Sequence, residues 1–116
     1  MAKNYRVEFD SAKFFAKVDK SWKKNLAPLT EQIKDDCNRF VRVDQGALRD
    51  SSDTHSIPSK GKIIWSTPYA RRVYFTGTPS KDVNPNASLM WCEKAKREYS
   101  EDWAKLATKQ MGRDFD

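Results

Sequence analysis

The stretch GKIIWSTP, residues 61–68, decides the fold class of this 116-residue chain. Residues 62–67 combine two isoleucines, a tryptophan and a threonine, and such β-branched and aromatic side chains favour a strand. Gly61 permits a tight turn before this run. Pro68 ends it, because proline lacks the N–H that a strand ladder requires. We therefore predict a central strand over residues 62–67.

A second strand is predicted near the start of the chain, over residues 4–9. Tyr5, Val7 and Phe9 alternate there with Arg6 and Glu8. This alternation places apolar side chains on one face of the strand and charges on the other. The two strands are expected to form a small antiparallel sheet.

The N-terminal half outside this strand is predicted to be helical. Positions 10–11 offer capping oxygens, and apolar residues follow at helical spacing at Phe14, Val18 and Trp22. Pro28 is expected to break or kink the helix, because it cannot donate an intrahelical hydrogen bond. The periodicity then resumes to about residue 41, and Gly46 is predicted to mark the exit.

The middle of the chain looks less regular. Residues 50–60, DSSDTHSIPSK, are rich in hydroxyl groups and contain a proline, which favours an edge strand or a mobile loop. A polar connection of about ten residues is predicted from Gly77 to Asn86.

The clearest helix lies near the C-terminus. Its apolar side chains recur at steps of three or four residues, at Trp91, Ala95, Tyr99, Trp103 and Leu106. Asn86 or Ser88 is expected to cap it, and Gly112 to end it. The predicted fold class is thus α+β, with a small antiparallel sheet packed against a long N-terminal helix, broken or not at the proline, and a C-terminal helix. Residues 1–116 are predicted to form a single domain, since their number suits one core.

Composition restricts the function classes. No apolar run is long enough to span a membrane, and the first residues lack the apolar core of a signal peptide, so we expect synthesis in a cytosol and no membrane partner. The net charge of +6 raises the question of nucleic-acid binding. Residues 1–58 carry 11 basic and 9 acidic side chains, and residues 59–116 carry 11 and 7. The excess is therefore spread along the chain.

Few residues are suited to catalysis or metal binding. His55 is the one histidine, and Cys37 and Cys92 are distant in sequence and outside any CxxC pair, so we predict reduced thiols and no zinc site. Asp35 and Asp36 point about 100° apart on a helix and cannot share one site. We predict no enzymatic activity and no cofactor.

One aromatic and basic cluster has two interpretations. It consists of Tyr69, Arg71, Arg72, Tyr74 and Phe75. In the first interpretation, Tyr69 and Tyr74 fill the core with Trp65, and the two arginines are simply exposed. In the second, the cluster is a contact surface for protein or nucleic acid.

Several short motifs resemble a minor capsid protein family of phages that infect Gram-positive bacteria, and this family is similar to the head-tail joining and tail-completion proteins of long-tailed phages. The motifs are DQGALRDS (44–51), KIIWSTPYAR (62–71) and NPNA (84–87) followed by WCEKA (91–95). The chain departs from the family pattern at Val43, where a proline is usual, and at the loose aromatic-glycine motif of residues 74–77. The resemblance gives backbone-organising roles to Gly46, Leu48, Trp65, Pro68, Tyr69, Ala70, Gly77, Pro85 and Trp91.

The resemblance implies a virion protein at the head-tail junction, made in the host cytoplasm. Copies would form a ring between portal and tail, and would contact themselves, portal or connector proteins, tail proteins and, non-specifically, the DNA in the channel. Ring contacts are heterologous, and we expect residues 69–75 and 50–60 to contribute to them. The alternative is a small basic DNA-binding regulator with a helix-turn-helix around Pro28. Acidic residues at positions 31, 35 and 36 count against it, because phosphates would repel them.

Overall fold

The computed structural model describes residues 6–16, 20–41, 47–79 and 84–115, with side chains left out at 20–22 and 108–115. Two strands are present in this part of the chain, β1 (Val7–Asp10) and β2 (Lys62–Trp65). The α-helices are α1 (Ser11–Phe15), α2 (Leu26–Asn38), α3 (Ala47–His55), α4 (Ala70–Phe75) and α5 (Trp91–Phe115), and the 3-10 helices are Lys20–Asn25 and Pro58–Lys60. The predicted α+β class is confirmed.

The sheet pairs β1 with β2 antiparallel, and Val7 lies opposite Trp65. Gly61 turns the chain into β2 with a left-handed φ of 75°, as predicted. A Cβ at Gly61 would lie 2.9 Å from the backbone nitrogen of Ala12. The Gly61 carbonyl accepts hydrogen bonds from the Ser11 N–H at 2.7 Å and the Ser11 hydroxyl at 2.9 Å. Close approach therefore requires glycine here.

Both predicted strands exist with shifted limits. β1 begins at Val7 and extends to Asp10, while residues 4 and 5 lie outside the described part of the chain. β2 ends at Trp65, so Pro68 stands in a turn beyond the strand rather than at its end. That turn is closed by the Ala70 N–H, which donates to the Thr67 carbonyl at 3.1 Å.

The break predicted at Pro28 is wrong. The N-terminal helical region starts at Ser11 as expected, where the Asp10 side chain accepts from the Lys13 N–H, but α1 already ends at Phe15. Pro28 is the third residue of α2. In the first turn of a helix the N–H groups have no intrahelical partner, so a proline costs little there. The predicted exit at Gly46 lies outside the described residues.

The edge strand or loop predicted for residues 50–60 is also wrong, because most of this stretch belongs to α3. Leu48, Ser51 and Ser52 are buried on one side of α3. Two hydroxyls serve the outer edge of β2: Ser56 accepts from the Ile64 N–H at 2.9 Å, and Ser51 accepts from the Ser66 N–H at 3.1 Å. The hydroxyl groups that suggested a loop therefore take the place of a third strand.

The C-terminal helix follows its predicted stripe. Trp91, Ala95 and Trp103 are buried, and Tyr99 and Leu106 pack against the core. Its predicted limits are wrong. The helix runs beyond Gly112 to Phe115. Its first residue, Trp91, follows Met90, so neither Asn86 nor Ser88 holds the position before it.

Helix α2 is the centre of the core, and two of its polar side chains hold tryptophans of other elements. The Trp103 indole N–H of α5 donates to the buried Asp36 carboxylate at 2.8 Å. The Trp65 N–H of β2 donates to the Asn38 side-chain oxygen at 3.0 Å. α2 thereby joins the sheet to α5. Among the described residues, no helix is long and apolar enough to cross a membrane.

Candidate interaction surface

Helix α4 divides the predicted cluster between two faces. Ala70 and Tyr74 are buried, with 0% and 7% of their surface exposed. Arg71 and Arg72 are exposed, and Phe75 is 50% exposed. Successive residues of a helix point in different directions, so a contiguous cluster in sequence is split in space.

The inward face belongs to the aromatic core. The Tyr74 ring lies 4.6 Å from that of Trp91, edge to face, and Trp91 in turn lies 5.8 Å from Trp65. Burial, together with the neighbouring Cys92, raises the pKa of Tyr74 well above its usual value. Tyr69 is partly buried against the same core. Tyr69 and Tyr74 therefore follow the core-filling interpretation.

The outward face carries charge and apolar area together. The Arg71 guanidinium lies 5.7 Å from the centre of the Phe75 ring, within the range of a cation–π contact. Within the described residues, Arg71 and Arg72 form no ion pair with any carboxylate. Both guanidinium groups therefore lack an ion-pair partner in the described ranges.

Met90 belongs to the same surface and was not predicted. It is 40% exposed, and its N–H donates to the Tyr74 carbonyl at 2.7 Å, which holds it beside the end of α4. Its φ of 49° is left-handed, an unusual conformation for a non-glycine residue. The available sequence signal was a large apolar residue outside the periodic stripe of α5. Arg71, Arg72, Phe75 and Met90 are called the α4 surface below.

A second exposed surface is acidic. Glu31 and Asp35 are exposed on α2, and Asp50 and Asp53 on α3; these four residues are called the α2–α3 surface. A shallow cavity of about 370 Å³ opens there between the helices, lined by Asp35, Asn38, Arg39, Arg49 and Asp53. Asp35 and Asp53 contribute carboxylates to this lining, and Arg39 and Arg49 contribute guanidinium groups, of which Arg39 is paired with the buried Asp36.

The neutralising charge of the α2–α3 surface is recessed. The ammonium group of Lys34, whose side chain is 9% exposed, lies 2.7 Å from an Asp53 oxygen and 3.0 Å from a Glu31 oxygen. Burial lowers the pKa of Lys34, but the hydrogen bonds and charges of Asp53 and Glu31 outweigh this and raise it above its usual value. Lys34 therefore remains a cation that joins α2 to α3.

Four of the remaining predicted motif residues lie in the core, and Pro68, Gly77 and Pro85 are exposed. Leu48, Trp65, Ala70 and Trp91 are almost fully buried. Gly77 has a left-handed φ of 86°, and Pro68 is exposed in its turn. Pro85 lines a cleft of about 460 Å³ between the end of α2 and the first half of α5. Leu48 lies in α3.

The described residues offer no convergent reactive groups. No cluster of three or more metal-binding side chains occurs among them. Asp36 is buried and Asp35 exposed, so these neighbours diverge as predicted. Cys37 and Cys92 are free and buried, which agrees with the prediction of reduced core thiols. The hydrogen bond to Cys92 and burial both raise the pKa of Cys37, and a raised pKa makes a thiol less reactive.

The comparison with known families decides the class of protein. The sequence profile of a minor capsid protein family matches residues 4–111. The chain belongs to the minor capsid protein family. This assigns a structural role in a virion, implies contacts with other virion proteins in general, and points to a non-enzymatic protein. No curated protein and no solved structure gave a significant match to this minor capsid protein.

Proposed function

We propose that this minor capsid protein acts at the head-tail junction of a tailed bacteriophage, as one non-enzymatic domain that needs no cofactor. Copies assemble there into a ring between portal and tail. The match of the family profile to residues 4–111 carries the proposal. The motif resemblance to head-tail joining and tail-completion proteins supports the finer location.

The distribution of polar groups supports a scaffold role. The buried Asp36 and the half-buried Asn38 hold the tryptophans of other elements. The exposed arginines of the α4 surface have no ion-pair partner among the described residues, and they lie beside exposed Phe75 and Met90. Arginine, aromatic and methionine side chains are enriched at protein interfaces. We propose portal or connector proteins, tail proteins and further copies of the chain as partners, with non-specific DNA contact in the channel.

The DNA-binding regulator receives no support. α1 ends at Phe15, and α2 exposes Glu31 and Asp35, so no helix-turn-helix flanks Pro28 and the exposed acids would repel phosphates.

Deletion of the gene, followed by electron microscopy of the particles, tests the proposed location. We expect filled heads and separate tails, restored to joined particles by the chain supplied from a plasmid. Mass spectrometry of purified wild-type particles should find the chain in tailed virions. Joined particles in the deletion strain, or the chain spread over the head shell, would contradict the proposal.

A further inference from the structure

We propose that the α4 surface of one copy of this chain docks on the α2–α3 surface of a second copy, so that subunits associate head to tail. The proposal rests on the proposed ring and deepens it, because it names both halves of the subunit contact. The occupant of each surface is a second copy of the chain.

The α4 surface has the character of an interface centre. Phe75 and Met90 are two of the three large apolar residues that are exposed in the described part of the chain, and the Met90 backbone lies beside the end of α4 because its N–H donates to the Tyr74 carbonyl. Arg71 stacks over Phe75, and neither Arg71 nor Arg72 is neutralised by a described carboxylate. A matching partner surface must supply carboxylates and must cover apolar area.

The α2–α3 surface supplies those carboxylates. Asp35 and Asp50 are exposed and form no ion pair within the described residues. The cations nearby are already engaged: Lys34 with Glu31 and Asp53, Arg39 with the buried Asp36 at 3.1 Å, and Arg49 with the Asn38 carbonyl at 3.0 Å. Incoming arginines would therefore meet two carboxylates that have no ion-pair partner in the described part of the chain.

The α2–α3 surface is also held in place. The Asn38 amide donates to the Ser52 hydroxyl at 3.0 Å, and Lys34 bridges to Asp53. Both contacts fix α3 on α2, so the carboxylates of the two helices keep a constant spacing. A preorganised surface loses less entropy on binding than a mobile one.

The positions of the two surfaces favour a heterologous contact. α3 covers the outer edge of β2, whereas α4 contacts β1. The two surfaces thus lie on different elements at different strands of the sheet, and each copy offers both of them. A contact between unlike surfaces repeats from copy to copy and closes into a ring where the rotation permits.

Disulfide trapping tests the contact directly, with the two full-length variants Arg72→Cys and Asp50→Cys. The native Cys37 and Cys92 are buried and do not compete for surface cross-links. Equal amounts are mixed at low ionic strength, oxidised with glutathione disulfide, and separated on a non-reducing gel. Random collisions give as many mixed dimers as both kinds of homodimer together. We expect mixed dimers in several-fold excess, reduced toward the random ratio at about 0.5 M salt because salt screens the charges.

Three further variants serve as controls. Lys96→Cys on the exposed side of α5 replaces Arg72→Cys as a matched control, and should give the random ratio. Adding Arg71→Glu to the Arg72→Cys variant should remove the excess of mixed dimers with Asp50→Cys. When that variant is mixed instead with Asp50→Cys that also carries Asp35→Lys, the excess should return. A random ratio for the first pair, or no restoration by the compensating charge, overturns the proposal.

The outcome is separable from that of the proposed function. If the chain is found at the junction but the mixed dimers stay at the random ratio, the interface is wrong and the function stands. If the mixed dimers are enriched but deletion leaves joined particles, the interface stands and the proposed location is wrong.

Discussion

Helices α2 and α4 both carry charged side chains, but they use them in opposite ways. In α2 the buried groups Lys34 and Asp36 and the half-buried Asn38 bind residues of other elements. In α4 the charged groups Arg71 and Arg72 point outward without an ion-pair partner in the described part of the chain. A polar group without a partner is costly when buried and tolerated when solvated. Helix α2 thus stabilises the fold, and the outer face of α4 is available to a partner.

The largest loss of stability is expected from the substitution Asp36→Ala in α2. This change leaves the buried Trp103 indole N–H without its acceptor and removes the partner of Arg39 and Gln32. We expect a loss of about 3 kcal/mol of unfolding free energy, measured by urea denaturation. Asp35→Ala is the matched control, because the adjacent carboxylate is exposed, and should change the value by less than about 0.5 kcal/mol. Equal effects of the two changes would remove the contrast between the helices.

Asn38→Ala is expected to follow with a smaller loss. The change removes the acceptor of the Trp65 N–H and the donor to Ser52, but both lost partners are neutral. We expect a loss of about 2 kcal/mol in the same measurement, from two neutral hydrogen bonds and a buried donor left unpaired. Asn86→Ala, at an exposed position, is the control. A neutral result for Asn38 would show that Trp65 finds another acceptor.

Alkaline pH should weaken the α2–α5 contact through Cys37. The pKa of Cys37 is raised in the fold, so the folded state keeps a proton that the unfolded chain releases above about pH 8.5. The contribution of Cys37 to the free energy of unfolding is therefore constant below that pH and falls above it, by at most about 1.4 kcal/mol per pH unit. Urea denaturation between about pH 8 and 9.5 measures the slope at neutral-to-alkaline pH, before tyrosine titrates.

Cys37→Ala should flatten that slope, although it also lowers stability at neutral pH by removing buried sulfur. Arg71→Ala on α4 is the comparison and should leave the slope as in the wild type. Parallel slopes for wild type and Cys37→Ala would exclude Cys37 as the titrating group.

The smallest effect on stability is expected in α4. Changing Arg71 and Arg72 together to glutamate should alter the unfolding free energy by less than about 0.5 kcal/mol, because both side chains are solvated. In the cross-linking experiment, the charge reversal Arg71→Glu combined with Arg72→Cys should lose the salt-sensitive excess of mixed dimers with Asp50→Cys. A large loss of stability would mean that the two arginines serve the fold, and the contrast with α2 would fail.

Prediction from sequence succeeded best where burial repeats along one element. The stripe of α5 was found because its apolar residues recur at helical spacing. The β2 segment was found because its β-branched and aromatic residues, preceded by Gly61, favour a strand. The stretch that became α3 was misassigned because serines are typical of loops. The sequence does not show that these hydroxyls accept hydrogen bonds from backbone N–H groups at the edge of β2. The Pro28 break was misassigned because the rule for helix interiors does not apply in a first turn.

The candidate site was only half predictable. The grouping of aromatic and basic residues in the sequence identified Arg71, Arg72 and Phe75. It also included Tyr69 and Tyr74, which pack on the core. Met90 was missed because it joins the surface through a backbone hydrogen bond to a residue 16 positions earlier. The acidic surface combines two helices whose packing no local pattern describes.

The sequence by itself determined the α+β class, the buried stripe of α5, the glycine turn into β2 and the lack of a recognisable catalytic motif. These properties depend on local spacing and on residue chemistry. Only the tertiary structure decided that Asp36 holds Trp103, that Asn38 holds Trp65, and that Arg71 and Arg72 of α4 have no ion-pair partner among the described residues. Each of these depends on which distant residues meet, and a polar side chain carries no local signal of the group that will satisfy it.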